Sequence, residues 1–144
     1  RSFVDLESAP VAPGGLTVHP FPLNHPQSAI GYRIESSGAV IVYASDLEHG
    51  HAALDSVLRD YAQNADVLVY DAQYTPEEYP SHRGWGHSTW EQGVRVARDA
   101  GVRQLVLFHH DPSHDDQFVF RMTQEARRQF ENTEAAREGW EIVL

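Results

Sequence analysis

The hydrophobic positions change period several times along the chain, and each change predicts an element. Leu16–Leu23 (LTVHPFPL) alternates as a strand, and Pro20 and Pro22 restrict it to a sheet edge or a strand end. Ile30–Glu35 (IGYRIE) and Ala39–Ala44 (AVIVYA) are short β-branched and aromatic runs, with Ser36-Ser37-Gly38 between them as a hairpin signal. Leu54, Val57, Leu58 and Tyr61 then recur at helical spacing and predict an amphipathic helix over Ala52–Ala62. Asp66–Tyr70 reads as a buried strand that ends at Asp71. Residues 72–86 form a loop rich in Pro, Gly and aromatic side chains. Ser88-Thr89-Trp90-Glu91 matches a capping box, so a helix is expected from Ser88 to about Ala100, with Gly101 ending it. Val102–Phe108 is the next strand, Asp115 or Asp116 caps a last helix to about Phe130, and Trp140–Leu144 is expected as a final strand.

Strands that alternate with helices and end in polar loops make an α/β layered pattern. Residues 1–15 hold two prolines and a Gly pair without periodicity and read as a linker or arm, leaving 16–144 as one folded unit. A length of 144 residues is enough for one core. No apolar run approaches the ~20 residues of a membrane helix, and no basic-then-apolar leader is present, so a cytoplasmic location is the expectation.

Cysteine is absent, which removes disulfides, thiolate metal sites and cysteine nucleophiles. Any metal must be held by His, Asp, Glu or water, which favours zinc, with manganese or iron as alternatives. The net charge of −10, with arginine as the sole basic residue type, opposes non-specific binding to nucleic acid backbones. It leaves room for a small phosphate ester at a local metal cluster.

His25, Asp46, His87 and His109 each sit just beyond a predicted strand or at a helix start. Groups placed there converge on one edge of a sheet, where rigid backbone fixes their geometry. Two imidazoles and a carboxylate suit zinc or manganese, and a carboxylate can bridge two ions. A single His after a strand is more often structural; several in equivalent positions are what point to a site. The other histidines carry blander readings. His110 and His114 read as supporting or solvated loop residues, His19 as packing, and Asp111 and Asp115 as helix caps.

The segments LNHPQSAIGYRIE, VIVYASDLE, DVLVYDAQY and GHSTWEQGVRVARDAGVRQLVLFHH resemble the later motifs of the metallo-β-lactamase superfamily. Within it they are most similar to the tRNA 3′-processing endonucleases and to the cyclic-phosphate phosphodiesterases of phosphonate breakdown. The specific features are the 21 residues from His25 to Asp46 with Gly31-Tyr32 between, the Gly-His-Ser-Thr turn at His87, and the 22 residues from His87 to His109. The resemblance covers roughly residues 16–115.

The resemblance implies that His25 and His109 are metal ligands and that Asp46 bridges two divalent ions. It implies that His87 protonates a leaving oxygen or steadies the phosphoryl group, with Asp71 orienting it. Arg83, Trp85 and Tyr79 in the 72–86 loop are candidate phosphate and ring contacts, and His49 a candidate pocket residue. The superfamily's His-x-His-x-Asp-His cluster is not found in the chain. The expected fold is therefore the C-terminal half of an αββα sandwich: one mixed sheet with helices on one face. The other face is expected to need a partner: the N-terminal half as a further segment or second chain, or a second copy in a homo-oligomer. The chain alone is expected to be inactive.

The expected function is hydrolysis of small or cyclic-nucleotide-like phosphodiesters. A tRNA 3′-processing nuclease comes second, because no long insertion separates His25 from Asp46 to grip RNA. Thioester or lactone hydrolysis and a non-enzymatic ligand-sensing module are further alternatives on the same fold.

Overall fold

Ser37 and Gly38 both take positive φ, 50° and 88°, the pair of angles that closes a two-residue hairpin. That turn joins β2 (Ala29–Ser36) to β3 (Ala39–Ala44), which run antiparallel. The structure, a computed structural model, describes residues 12–144. The linker expected over 1–15 lies outside the described residues except at its end, where Pro13–Gly15 form a 3-10 turn.

β1 (Thr17–Leu23) pairs antiparallel with β2 and has no other neighbour among the described residues. Pro20 and Pro22 are two apart, so their missing N–H groups face the same, outer side, where no ladder bond is lost. From β3 the chain changes mode. α1 (Ala52–Ala62), α2 (Trp90–Asp99) and α3 (Asp116–Gln129) carry it over to β4 (Val67–Asp71), β5 (Gln104–Phe108) and β6 (Thr133–Ala135). β3 to β6 are parallel, and the strand order across the six-stranded sheet is β1-β2-β3-β4-β5-β6.

The helices touch one another in sequence, α1 to α2 and α2 to α3, so they form one layer on one face. Between them and the sheet lies the core: Phe21, Val42, Leu68, Tyr70, Leu105 and Leu107 from strands, with Leu58, Val94, Ala97, Met122 and Ala126 from helices. Each fully buried leucine here stabilises the fold by roughly 1.5–3 kcal/mol. The opposite face carries Ile41, Tyr43, Val67, Val69, Val106 and Phe108, the alternate positions of the same strands. Trp140, Ile142 and Leu144 line the same hollow, so the C-terminal tail lies over part of the face expected to need a partner.

Three expectations are corrected. The last strand is Thr133–Ala135, not Trp140–Leu144: Leu105 N–H bonds to Asn132 and Ala136 N–H to Leu107, which fixes the chain to the β5 edge before the tail turns away. The cap of α2 is Thr89, whose hydroxyl accepts the Gln92 N–H; Ser88 lies outside the helix. The Thr-x-x-Gln pattern is the same signal displaced by one residue. At α3 it is Asp115 that caps, while Asp111 closes a turn onto Ser113. No helix of the described residues is long and apolar enough to cross a membrane.

Candidate active site

β1, β3, β4 and β5 all point the same way, so their C-terminal ends share one edge of the sheet. His25 follows β1, Asp46 follows β3, Asp71 ends β4 and His109 follows β5. The hydrogen-bonding capacity of this edge is left to loops, which is why ligands collect there in open α/β sheets.

Asp71 is the hub. Its side chain is fully buried, and its oxygens accept the Asp46 N–H at 3.0 Å, the Gln73 and Ser88 N–H groups at 3.2 Å each, and His87 Nδ1 at 3.0 Å. A buried carboxylate is tolerated only with this many donors. The bond to Asp71 raises the His87 pKa, against the opposing effect of burial. With Nδ1 committed, Nε2 is the ring atom left to act on anything bound outside.

The His109 ring stacks on His87, centroids 4.7 Å apart. Its Nδ1 lies 3.0 Å from Gln73 Oε1, an acceptor only, so Nδ1 donates there and Nε2 is the ring nitrogen left to meet a ligand. That Nε2 is 3.4 Å from Asp46 Oδ1. Asp46 and His109 both hold left-handed backbone, with φ of 57° and 59°. Non-glycine residues rarely do so, and strain of this kind gathers where side-chain direction matters.

His25 sits in the β1–β2 turn, with Nδ1 accepting the Gln27 N–H at a long 3.2 Å. Gly86 packs against its ring. A Cβ on Gly86 would lie 2.3 Å from His25 Cδ2, and its φ of 90° also requires glycine.

Among the described residues, two groups of three side chains each bring their donor atoms within 4.8 Å of one another: His25, Asp46 and His87, and Asp71, His87 and His109. The set is all nitrogen and carboxylate oxygen, with Asp46 half open to solvent and His109 Nε2 unencumbered, and it fits a divalent cation. His25 and His109 do not share a group; Asp46 lies next to both.

Gln73 is a functional candidate that sequence reasoning did not single out, and Glu48 reads from sequence only as part of the loop after Asp46 that could line the pocket. Glu48 accepts Gly84 N–H at 2.8 and 3.0 Å, Gly86 N–H at 3.1 Å and Tyr79 O–H at 2.8 Å, tying the His87 loop to the Asp46 loop. Burial raises its pKa, but these donors together outweigh that and leave it lowered. Tyr79 in turn is pushed up to about 12 by burial and by Glu48. Gln73 could have been found from parity, since it lies two residues beyond Asp71 and faces the same way. Nothing local marks Glu48.

The remaining candidates are spread around this centre. His49 is held, its Nδ1 2.8 Å from Ser88 Oγ and its ring on Tyr79; burial lowers its pKa. Arg83 lies over the Tyr79 ring at 5.7 Å, and Trp85 is 62% exposed. His114 is not a solvated loop residue: its side chain is 5% exposed and bonds Glu78 at 2.9 Å. His110 also turns both ring nitrogens away from solvent, without a hydrogen-bond partner among the described residues.

A family model for the β-lactamase superfamily domain matches residues 3–110. Ribonuclease Z of Thermoplasma volcanium is 34% identical over 107 residues, covering 74% of this chain and 33% of its own length. The chain thus spans about a third of the length of the curated relatives it matches. The crystal structure of the metallo-β-lactamase fold protein YhfI from Bacillus subtilis superposes with a TM-score of 0.77 at 21% identity, over 92% of this chain and 52% of that one. A diphosphatase from the PhnP family gives a TM-score of 0.62 at 21% identity, over 94% and 46%.

Proposed function

The chain belongs to the β-lactamase superfamily domain family, and from that premise we propose that it forms part of a metal-dependent hydrolase of phosphodiesters. The observation that carries the reading is the Asp71–His87 pair set against His109 and Asp46 at one sheet edge. Ribonuclease Z relatives and the likeness to a PhnP-family diphosphatase favour phosphoryl over acyl chemistry.

In this proposal His25, Asp46 and His109 hold two divalent cations, zinc before manganese or iron. Such ions would lower the pKa of water toward ~7 and offset charge on the phosphoryl oxygens. His87 supplies the proton for the departing oxygen as its P–O bond breaks. Asp71 accepts from Nδ1, so the transferable proton of the imidazolium is on Nε2. Further ligands come from an additional N-terminal half of the fold, packed on the Ile41–Phe108 face as a further segment or a second chain.

The substrate is proposed to be a small or cyclic-nucleotide-like diester. Transfer-RNA processing is the second reading, favoured by the ribonuclease Z relatives; the net charge of −10 weighs against a long polyanion. The experiment is elemental analysis of the full-length protein together with hydrolysis of bis-(p-nitrophenyl) phosphate. About two metals per chain, with turnover lost in His87→Ala, is the expected result. A metal-free, inactive full-length protein would leave these residues as structural and favour a ligand-sensing module.

A further inference from the structure

Trp85 presents its ring to solvent from a loop that is otherwise tied down. Its neighbours Gly84 and Gly86 both donate their N–H groups to Glu48, so the backbone is clamped on either side of the indole. Its own N–H bonds the His82 carbonyl at 3.1 Å. The His82 ring meets the indole edge-on at 4.9 Å and stacks on Tyr74 at 4.3 Å, and Tyr74 in turn meets the His87 ring at 6.3 Å. An aromatic array therefore runs from the exposed indole to the candidate proton donor. Trp85 is two residues before His87, at most about 7 Å along the chain. Holding a large apolar ring rigid in water is unfavourable unless something covers it, and the ordering entropy of the loop has already been lost before any ligand arrives.

We propose that Trp85 is a preformed stacking platform at the rim of the site and receives the nucleobase of a nucleotidyl phosphodiester. Arg83, two residues before it and also exposed, provides a planar fork for phosphate oxygens. The flat faces of Trp85 and a base match without sequence-specific hydrogen bonds, as in single-strand binding sites. The negative field of the chain favours a mono- or dinucleotide unit over a polynucleotide. This inference rests on the phosphodiester reading and narrows it to nucleotidyl esters.

The test is calorimetric titration of the full-length protein with AMP and with ribose 5-phosphate, which carry the same phosphate and differ by the base. AMP is expected to bind about tenfold or more tightly than ribose 5-phosphate. Trp85→Ala removes that preference, Trp85→Phe keeps most of it, and the affinity for ribose 5-phosphate stays the same in all three proteins. Equal binding of the two ligands, a preference that survives Trp85→Ala, or a Trp85 shielded from acrylamide quenching would each overturn the platform. The measurement needs no turnover. A base preference without diester hydrolysis sinks the hydrolase reading alone, and hydrolysis without base preference sinks the platform alone.

Discussion

Asp46 Oδ1 and His109 Nε2 approach to 3.4 Å while both residues hold left-handed backbone, so two candidate ligands are brought together by two strained strand ends. The Asp46 N–H is bonded by the buried Asp71 carboxylate, while the Asp46 side chain stays half open to solvent. Asparagine tolerates left-handed φ and has no charge. Asp46→Asn is therefore expected to leave the metal-free protein as stable or to stabilise it by on the order of 0.5–1 kcal/mol, while metal retention falls at least tenfold. Thermal melts of the metal-free form and elemental analysis of the purified form read the two effects separately. A clear loss of metal-free stability would contradict the strain argument.

Asp71→Asn replaces one acceptor oxygen of a buried hub by a donor. The His87 ring loses its fixed orientation, and turnover is expected to fall by about 10²–10⁴. His87→Ala should cost a similar factor, and the double variant little more, because the two residues act as one unit. If the two losses multiplied instead, Asp71 would be acting independently of His87.

The Glu48 carboxylate has a lowered pKa in the folded protein, so it favours folding in its charged form. Its contribution is complete above the ordinary glutamate value of 4.5 and is lost as pH falls through the lower folded value. Glu48→Gln is expected to be less stable than the natural protein near neutrality, with the gap narrowing in acid below 4.5. Denaturant midpoints for both proteins across that range give the difference directly. A gap independent of pH would mean that the carboxylate's charge contributes nothing.

Gly86→Ala places a methyl group 2.3 Å from His25 Cδ2 and 2.9 Å from Pro26 Cδ, at a φ of 90°. The His25 turn must move or the 84–86 segment must shift. A loss of about 1–3 kcal/mol is expected, together with weaker metal retention. Ser37→Gly in the distant hairpin serves as a comparison that should leave metal content untouched.

Much of the element order was readable from periodicity. Leu54, Val57, Leu58 and Tyr61 marked α1, and the β-branched runs at 39–44 and 66–70 marked β3 and β4. The candidate site was readable as far as strand ends could place it, which covers Asp46, Asp71 and His109. Two kinds of information were missing. Ser88 and Thr89 are both good caps, and the choice between them is made by tertiary partners: Ser88 Oγ is taken by Tyr70 at 2.9 Å and His49 at 2.8 Å. Trp140–Leu144 has the apolar character of a strand, but β6 already holds the place beside β5, and the tail's apolar side chains line the sheet face instead. Glu48 and Gln73 act across 36 to 38 residues of chain, and no local pattern encodes such a meeting.

The strand order of the sheet is the order of synthesis. Each new strand emerging from the ribosome finds its partner, the one made just before it, at an open edge, and none must be threaded between two already paired. Loop closures stay local, at one helix per crossover with the 72–86 loop added between β4 and β5, which favours rapid assembly. The α/β layer can thus grow by accretion from the hairpin outward, and His109 comes to lie beside His87 at the candidate site only when β5 joins the sheet.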